Sequence, residues 1–323
     1  MEENWNGKRV VVIGGTGFIG SHLTRALIEL KAQVTITSRA GNNTWRLADC
    51  TGLYEHVPLD VINHSAVTNF LTQRRPEYVF YFAAVLPGST PQTDNFEAIN
   101  ADGFRNVLLG LGSELPLSVV LMGTASEYGP IEIPTTENMQ EKPEEPYGIS
   151  KLHATEYARA IGSERGIRTT ILRSPATYGP YEGFATFIPQ CILACLERRT
   201  FEMSGEQEMD FLFINDLVTA LLSAGMRDTG NTVEVVNISN GIPTQLASVA
   251  TTIATTLNAQ EFLKIGAISL RPFERRVRFL SIEKAKRLLG WEPKTSLVES
   301  IIETANWYRA HPELIPLLKQ RAP

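Results

Sequence analysis

Apolar residues run unbroken from Val10 to Ile13 and stop at glycine, the pattern of a strand buried on both faces. From about Phe18 to Lys31 the apolar positions switch to helical spacing, and a second strand-like run, Gln33 to Thr37, follows at once. Further runs at Tyr78–Phe82, Leu117–Met122 and Ile167–Leu172 read as strands, with the shorter Val57-Pro-Leu59 before them. Segments near 64–73, 94–112 and 146–164 read as helices between these strands. Strands alternating with helices predict an α/β fold, a doubly wound parallel sheet. After Arg173 the rhythm breaks into short strands, loops and helices, the latter at Asn215–Gly225, Pro243–Leu257, Ile282–Leu289 and Val298–Arg309. The expected division is a sheet domain, 1–173, and a smaller lobe, 174–323, lying over the carboxyl ends of the strands, with some of its segments returning to the sheet. The Pro-rich stretch from Ile131 to Pro146 reads as a loop at a site.

Composition narrows the class. The chain has 323 residues, 43% of them hydrophobic, enough for one large core or two unequal domains sharing a cleft. A net charge of −5 argues against a duplex DNA partner, which calls for a basic face. The polar N-terminus leads straight into a strand, so no secretory signal is expected, and no apolar stretch reaches the roughly 18 residues of a membrane span. Three cysteines, Cys50, Cys191 and Cys195, cannot all pair; Cys191 and Cys195 stand in a helix-like segment without a histidine at ligand spacing, which favours packing over a metal site. A reduced cytoplasm fits this pattern.

The glycine run Gly14-Gly-Thr-Gly-Phe-Ile-Gly20 sits between the first strand and the first helix, where a dinucleotide pyrophosphate is cradled. Gly14 permits the tight turn, Gly17 lets backbone approach the phosphates, and Gly20 allows close helix–strand packing. Phe18 and Ile19 open the helix whose positive end faces the phosphates. The sheet is therefore expected to be of the Rossmann type. Near the end of the second strand an acidic residue would bind the ribose 2′-hydroxyl of NAD; Thr37-Ser38-Arg39 stands there instead. A hydroxyl and a guanidinium suit a 2′-phosphate, which favours NADP(H), with NAD(H) retained as the alternative if Arg39 is a solvated charge. Asp60 is placed to accept from the adenine amino group or, alternatively, to cap the following helix. Phe82-Ala83-Ala84 ends the fourth strand with small residues where the cofactor must pass close to backbone.

Tyr147-Gly-Ile-Ser-Lys151 adds chemistry to this frame. Tyrosine and lysine four apart share one helix face, and the lysine charge is expected to lower the tyrosine pKa and to grip the nicotinamide ribose. A third partner should come from Gly123-Thr124-Ala-Ser126-Glu-Tyr-Gly129 at the end of the fifth strand. Thr124, four residues before Tyr128, has the better register for holding a substrate carbonyl or alcohol beside Tyr147; Ser126 is the second candidate, with a plain turn as its alternative.

These residues resemble the extended short-chain dehydrogenase/reductases, and within them the nucleotide-sugar epimerases, dehydratases and ketoreductases. Ile99-Asn-Ala-Asp-Gly-Phe-Arg-Asn106, Leu172-Arg-Ser-Pro-Ala-Thr-Tyr-Gly-Pro180, Gly205-Glu-Gln-Glu-Met-Asp-Phe211, Leu270-Arg-Pro272 and Leu288-Leu-Gly-Trp-Glu-Pro293 carry the resemblance over nearly the whole chain. It implies that Asn100 steadies the central helix and that Asn100, Val61 and Pro175 line the cofactor site with the residues above. It also implies a nucleoside-diphosphate sugar substrate and a homodimer through helices 94–112 and 146–164, with Ala98, Ala101, Val107, Leu108 and Leu111 available to core and partner. Ala125 and Ser126 replace the Asp-Glu of the family's 4,6-dehydratases, which argues against dehydration. Ala176 and Met209 replace the usual substrate asparagine and arginine, so diphosphate contacts fall to Arg271, with Arg275 and Arg276 as alternatives to a solvated charge run. The Phe187-Ile-Pro189, Gly205-Glu-Gln and Gly266-Ala-Ile segments are similar to CDP-abequose synthase-like reductases. The reading these features imply is an NADPH-dependent reductase of a nucleoside-diphosphate 4-keto-6-deoxyhexose; the alternatives are a 4-epimerase retaining NAD, and a non-catalytic dinucleotide sensor.

Overall fold

The computed structural model describes residues 4–39, 44–87, 95–130, 134–228, 230–269 and 279–319. The first half comprises β1 (Arg9–Ile13), α1 (Phe18–Glu29), β2 (Gln33–Ser38), β3 (Glu55–Pro58), α2 (His64–Arg74) and β4 (Tyr78–Tyr81). A π-helical turn, Glu97–Asp102, leads into α3 (Gly103–Gly110), and β5 (Ser118–Thr124) follows. Next, α4 (Pro146–Tyr157) runs through a second π-helical turn into the short α5 (Ser163–Arg165), and β6 is Thr169–Ser174. Beyond it lie β7 (Ala176–Tyr178), α6 (Phe187–Leu196), β8 (Phe201–Met203), β9 (Glu208–Met209), β10 (Phe211–Phe213), α7 (Ile214–Gly225) and β11 (Val233–Asn237). The chain continues with β12 (Thr244–Gln245), α8 (Leu246–Thr256), β13 (Leu263–Ile265), α9 (Glu283–Leu289) and α10 (Leu297–Ala310).

Seven parallel strands form one sheet in the order β11-β6-β5-β4-β1-β2-β3. The Rossmann-type α/β architecture is thus present, and the order reverses between β1 and β4, where such sheets open a ligand crevice at their carboxyl ends. The unbroken apolar run of β1 has its cause here. Val10 and Val12 pack towards α1 with Leu23 and Leu27, while Val11 and Ile13 face Val67, Phe70 and Phe104 of α2 and α3 on the other side. Parallel strands covered on both faces have no solvent side on which to place polar residues.

Two boundaries differ from the hydrophobic pattern for identifiable reasons. The strand expected at Ile167–Leu172 is Thr169–Ser174: Gly166 ends the preceding helix with φ +70°, and the Ile167 amide bonds back to the Gly162 carbonyl at 2.8 Å. Ile167 is a core residue in a turn. β5 extends to Thr124 because Gly123 and Thr124 still pair with Arg173 and Ser174. Two segments beyond Arg173 return to the sheet: α7 packs on it beside α1, with Leu217 and Leu221 fully buried, and β11 adds a strand next to β6. The remaining segments build three two-stranded sheets, β7–β10, β9–β12 and β8–β13, and the mutually packed helices α6, α8 and α10.

Candidate active site

At the carboxyl end of β1 the chain turns sharply at Gly14, where φ is +84° and a side chain would lie 2.8 Å from the Ala83 amide nitrogen. A side chain at Gly20 would strike the Gly14 carbonyl, so strand and helix meet as closely as backbone allows. Gly17 differs: its added carbon would meet only the Gly14 carbonyl, at 3.3 Å, which leaves the cleft side open. Gly17 is also the N-cap of α1 and no side chain caps the helix, so the first amide groups of Phe18, Ile19 and Gly20 are presented outward as anion donors. This cradle fits a dinucleotide pyrophosphate on shape and on partial charge. Phe82, Ala83 and Ala84 follow β4, half-buried, along the next stretch of the crevice.

Ser38 and Arg39 lie where β2 ends, Ser38 half-buried and Arg39 exposed. Sequence reasoning missed their neighbour His56, whose Nε2 is 2.9 Å from Ser38 Oγ across the β2–β3 pair. Asp60 is exposed and one of its oxygens accepts from the Ile62 amide at 3.2 Å. It does not cap α2; Asn63 does, accepting from Ala66 N at 3.0 Å. Val61 is buried beside Gly103 of α3, and Pro175 is half-buried between β6 and β7.

Asn100 braces this region. Its side chain is fully buried, accepts from the Val85 amide at 2.7 Å, and donates to the Val85 carbonyl and to Ser150 Oγ at 3.1 and 3.0 Å. Both donors are engaged, so Asn100 ties the loop after β4 to α4. Ser150 in turn donates to the Tyr147 carbonyl at 2.8 Å, so the tie reaches the helix start that carries the tyrosine.

Thr124, Tyr147 and Lys151 come together at this end of the crevice. The Tyr147 hydroxyl is within hydrogen-bonding reach of Thr124, and its ring stands edge-on to Phe96 at 6.3 Å between centroids. Lys151 is buried. Burial pushes Tyr147 up to about 12, the Glu127 carboxylate adding to the rise and the Thr124 contact opposing it. Burial lowers Lys151 to about 8, against the pull of Glu127. The expected lowering of the tyrosine by the lysine is not seen; desolvation, which disfavours both charged forms, dominates at each group. Ser126 is half-buried; its amide donates to Thr124 Oγ1 at 3.2 Å, which makes it part of a capped turn.

The second residue that the sequence did not reveal is Glu127. It is fully buried and accepts from Thr124 N (2.8 Å), Thr155 Oγ1 (2.8 Å) and Arg173 Nε and Nη2 (2.9 and 2.7 Å). Gly123 makes room for it, since a side chain there would come within 2.7 Å of the carboxylate. Arg173 also stacks on Tyr128 at 4.4 Å and reaches Glu141, which Arg159 of the π-helical turn after α4 holds from the other side. The Tyr128 hydroxyl donates to Asn237, whose amide donates to Glu137. One connected set of charges and hydrogen bonds thus fastens β5, α4 and the loop leading to α4. A chain-wide signal was present in Glu127 and Arg173, but their opposition in space was not.

On the substrate side, Ala176 lies on β7 and Met209 on β9, paired with Thr244 of β12. Arg271, Arg275 and Arg276, together with Leu270–Pro272, lie outside the described residues. Val107, Leu108 and Leu111 are buried in the core beside the sheet, Ala101 is buried and Ala98 is half-buried. Cys191 and Cys195 are free thiols buried in α6. Among the described residues no group of three or more metal-ligating side chains occurs, and no helix is long and apolar enough to cross a membrane.

Comparison with known proteins agrees with this geometry. The NAD dependent epimerase/dehydratase family matches residues 10–239. A UDP-glucose 4-epimerase of Mycolicibacterium smegmatis is 27% identical over 93% of this chain and 98% of its own length. The dTDP-glucose 4,6-dehydratase 1 of Escherichia coli is 26% identical over 97% and 96%. Among solved structures, a UDP-glucose 4-epimerase of Thermotoga maritima with UDP-glucose superposes with a TM-score of 0.84 at 26% identity, covering 94% of this chain and 99% of that one. MoeE5 in complex with UDP-glucose and NAD superposes with a TM-score of 0.82 at 26% identity, covering 94% and 99%.

Proposed function

The chain belongs to the NAD dependent epimerase/dehydratase family, and from that premise we propose that it is an oxidoreductase acting at C4 of a nucleoside-diphosphate hexose, with Tyr147 as its acid–base group. The observation that carries this reading is the convergence of Tyr147, Lys151 and Thr124 at the end of a crevice whose other wall is a glycine cradle. A bound NAD(P) supplies hydride exchange at the sugar carbon. Gly14, Gly17, Phe18, Ile19 and Gly20 would hold its pyrophosphate, and Asp60 its adenine. Thr124 holds the C4 oxygen beside the Tyr147 hydroxyl, which moves one proton to or from that oxygen. Lys151, as ammonium, stabilises the tyrosinate that results. Ala125 and Ser126 provide no carboxylate of the kind an elimination of water needs.

Two outcomes share this proton step. In a 4-epimerase Tyr147 removes the proton and later returns it to the other epimer; in a 4-ketoreductase it donates once per turnover. The UDP-glucose 4-epimerases among the relatives support the first outcome better than the second. The reductase is favoured by one observation, the hydroxyl and guanidinium of Ser38 and Arg39 in place of a carboxylate, which suit NADP(H), a cofactor discharged in each cycle. The purified chain should be tested for retained cofactor by its absorption and fluorescence, then with UDP-glucose by NMR at C4, and with 4-keto sugar nucleotides by NADPH oxidation. C4 inversion with retained NAD selects the epimerase, and stoichiometric NADPH oxidation the reductase. Neither activity across the common nucleoside-diphosphate hexoses would overturn the C4 assignment. Assembly as a homodimer through α3 and α4 is part of this reading; their outward residues include the exposed Leu109 and Ile149, and light scattering showing only a monomer would remove it.

A further inference from the structure

The corner where β2 and β3 end carries an arrangement that the reaction does not require. Ser38 has one hydroxyl proton, and it points to the Arg39 carbonyl at 3.2 Å. The same oxygen lies 2.9 Å from His56 Nε2, and with the serine proton on the Arg39 carbonyl the imidazole is the donor of that contact. His56 stands opposite Ile36 in the strand register, two residues before Ser38 on the same face, so its ring reaches the serine from within the sheet edge. The serine oxygen is held from below by a ring N–H and keeps its own proton as the movable donor. Arg39 lies next to it, exposed.

We propose that His56 is a specificity-determining positioning residue for a 2′-phosphate on the adenosine ribose. By donating to Ser38 Oγ it fixes the serine so that the hydroxyl proton can swing from the Arg39 carbonyl to a phosphate oxygen beside the guanidinium. A neutral ribose hydroxyl gains little from the charge of the guanidinium; a phosphate, which has acceptor oxygens and charge to offer, gains from both the guanidinium and the serine hydroxyl. The inference rests on the NADP(H) reading above and specifies which residue enforces it.

Dissociation constants for NADPH and NADH, measured by calorimetry on the full chain without sugar substrate, test both. The wild type should bind NADPH more tightly. His56→Leu should weaken NADPH about tenfold, the scale of one hydrogen bond, and leave NADH within about twofold. His56→Gln, whose amide can donate from the same place, should keep most of the NADPH affinity. In a Ser38→Ala background His56→Leu should have no further effect, because the histidine acts through the serine. A wild type that prefers NADH would overturn the NADP(H) reading and this inference together. A wild type that prefers NADPH, with His56→Leu losing both cofactors equally or neither, would overturn the role of His56 alone, as would a His56→Gln variant no better than His56→Leu.

Discussion

At the catalytic end of the crevice each polar group leans on another that is itself buried, whereas at the adenosine end the groups stand in or near solvent. Lys151, Glu127 and Arg173 are all buried; Arg39 and Asp60 are exposed, and Ser38 and His56 lie between these limits. Burial is what moves Tyr147 to about 12 and Lys151 to about 8, and it makes any lost partner costly. Solvent at the other end screens charge, so Arg39 can discriminate between ligands while adding little to stability. Chemistry is placed where the fold cannot yield; recognition is placed where substitution is tolerated.

The largest expected effect probes the buried end. Tyr147→Phe preserves the ring against Phe96 but removes the proton, so kcat should fall about 10²–10⁴-fold with cofactor affinity unchanged. Lys151→Met should reduce both. Thr124→Val should lose less than Tyr147→Phe, and Ser126→Ala least, measured in single turnovers with any accepted sugar nucleotide. Near-normal turnover of Tyr147→Phe would break the catalytic assignment; a Ser126→Ala defect exceeding that of Thr124→Val would move the hydroxyl role to Ser126.

The brace behind these groups should show itself as stability. Glu127→Ala leaves the buried Arg173 guanidinium with Glu141 as its remaining carboxylate; losing a buried partner typically costs about 3–5 kcal/mol, and with Glu141 in place the fall in Tm should correspond to the lower part of that range. Breaking the exposed Arg75–Glu114 pair with Glu114→Ala should leave Tm unmoved. Equal shifts from the two substitutions, measured by thermal melting at one pH, would erase the contrast between buried and exposed charge pairs.

How much of this was legible beforehand follows the same division. Local order was readable where one residue pattern had one cause: β1 because both of its faces are buried, and Tyr147 with Lys151 because one helix turn brings them together. The β6 boundary was not readable, since apolar Ile167 in the turn looks like strand, while Arg173 and Ser174, polar yet buried, continue the strand past Leu172. The face of α7 was visible, but periodicity cannot say which body an apolar face meets. The two polar pairs that matter most to the site were out of reach: Arg173 and Glu127 are 46 positions apart, and Ser38 and His56 are 18 apart. A glutamate in a Thr-Ala-Ser-Glu turn reads as a surface charge until the fold buries it.

At the exposed end, Arg39→Ala should weaken NADPH by about 1.5–3 kcal/mol, nearer the lower figure because solvent screens the contact. NADH affinity should not change, and added salt should weaken NADPH binding to the wild type more than to the variant. Identical salt slopes for the two proteins would remove Arg39 from the phosphate site and leave it a solvated charge.

The smallest effect separates two roles that lie within four residues of each other on the loop after β3. Asn63 caps α2 through its contact with Ala66 N, and a cap of this kind is worth about 0.5–2 kcal/mol, so Asn63→Ala should lower Tm slightly. It should not alter the affinity for either cofactor. Asp60 makes no cap, and its single bond to the Ile62 amide lies in solvent, so Asp60→Ala should barely touch stability. Because adenine is common to NADH and NADPH, the same substitution should weaken both cofactors by the same factor, unlike the selective losses expected at Arg39 and His56. Calorimetry on the two variants, with Tm measured alongside, decides the matter. If Asp60→Ala destabilises the fold as much as Asn63→Ala and leaves both cofactors untouched, the aspartate is a structural turn residue, and the adenosine end keeps Ser38, Arg39 and His56 as its only recognising groups among the described residues.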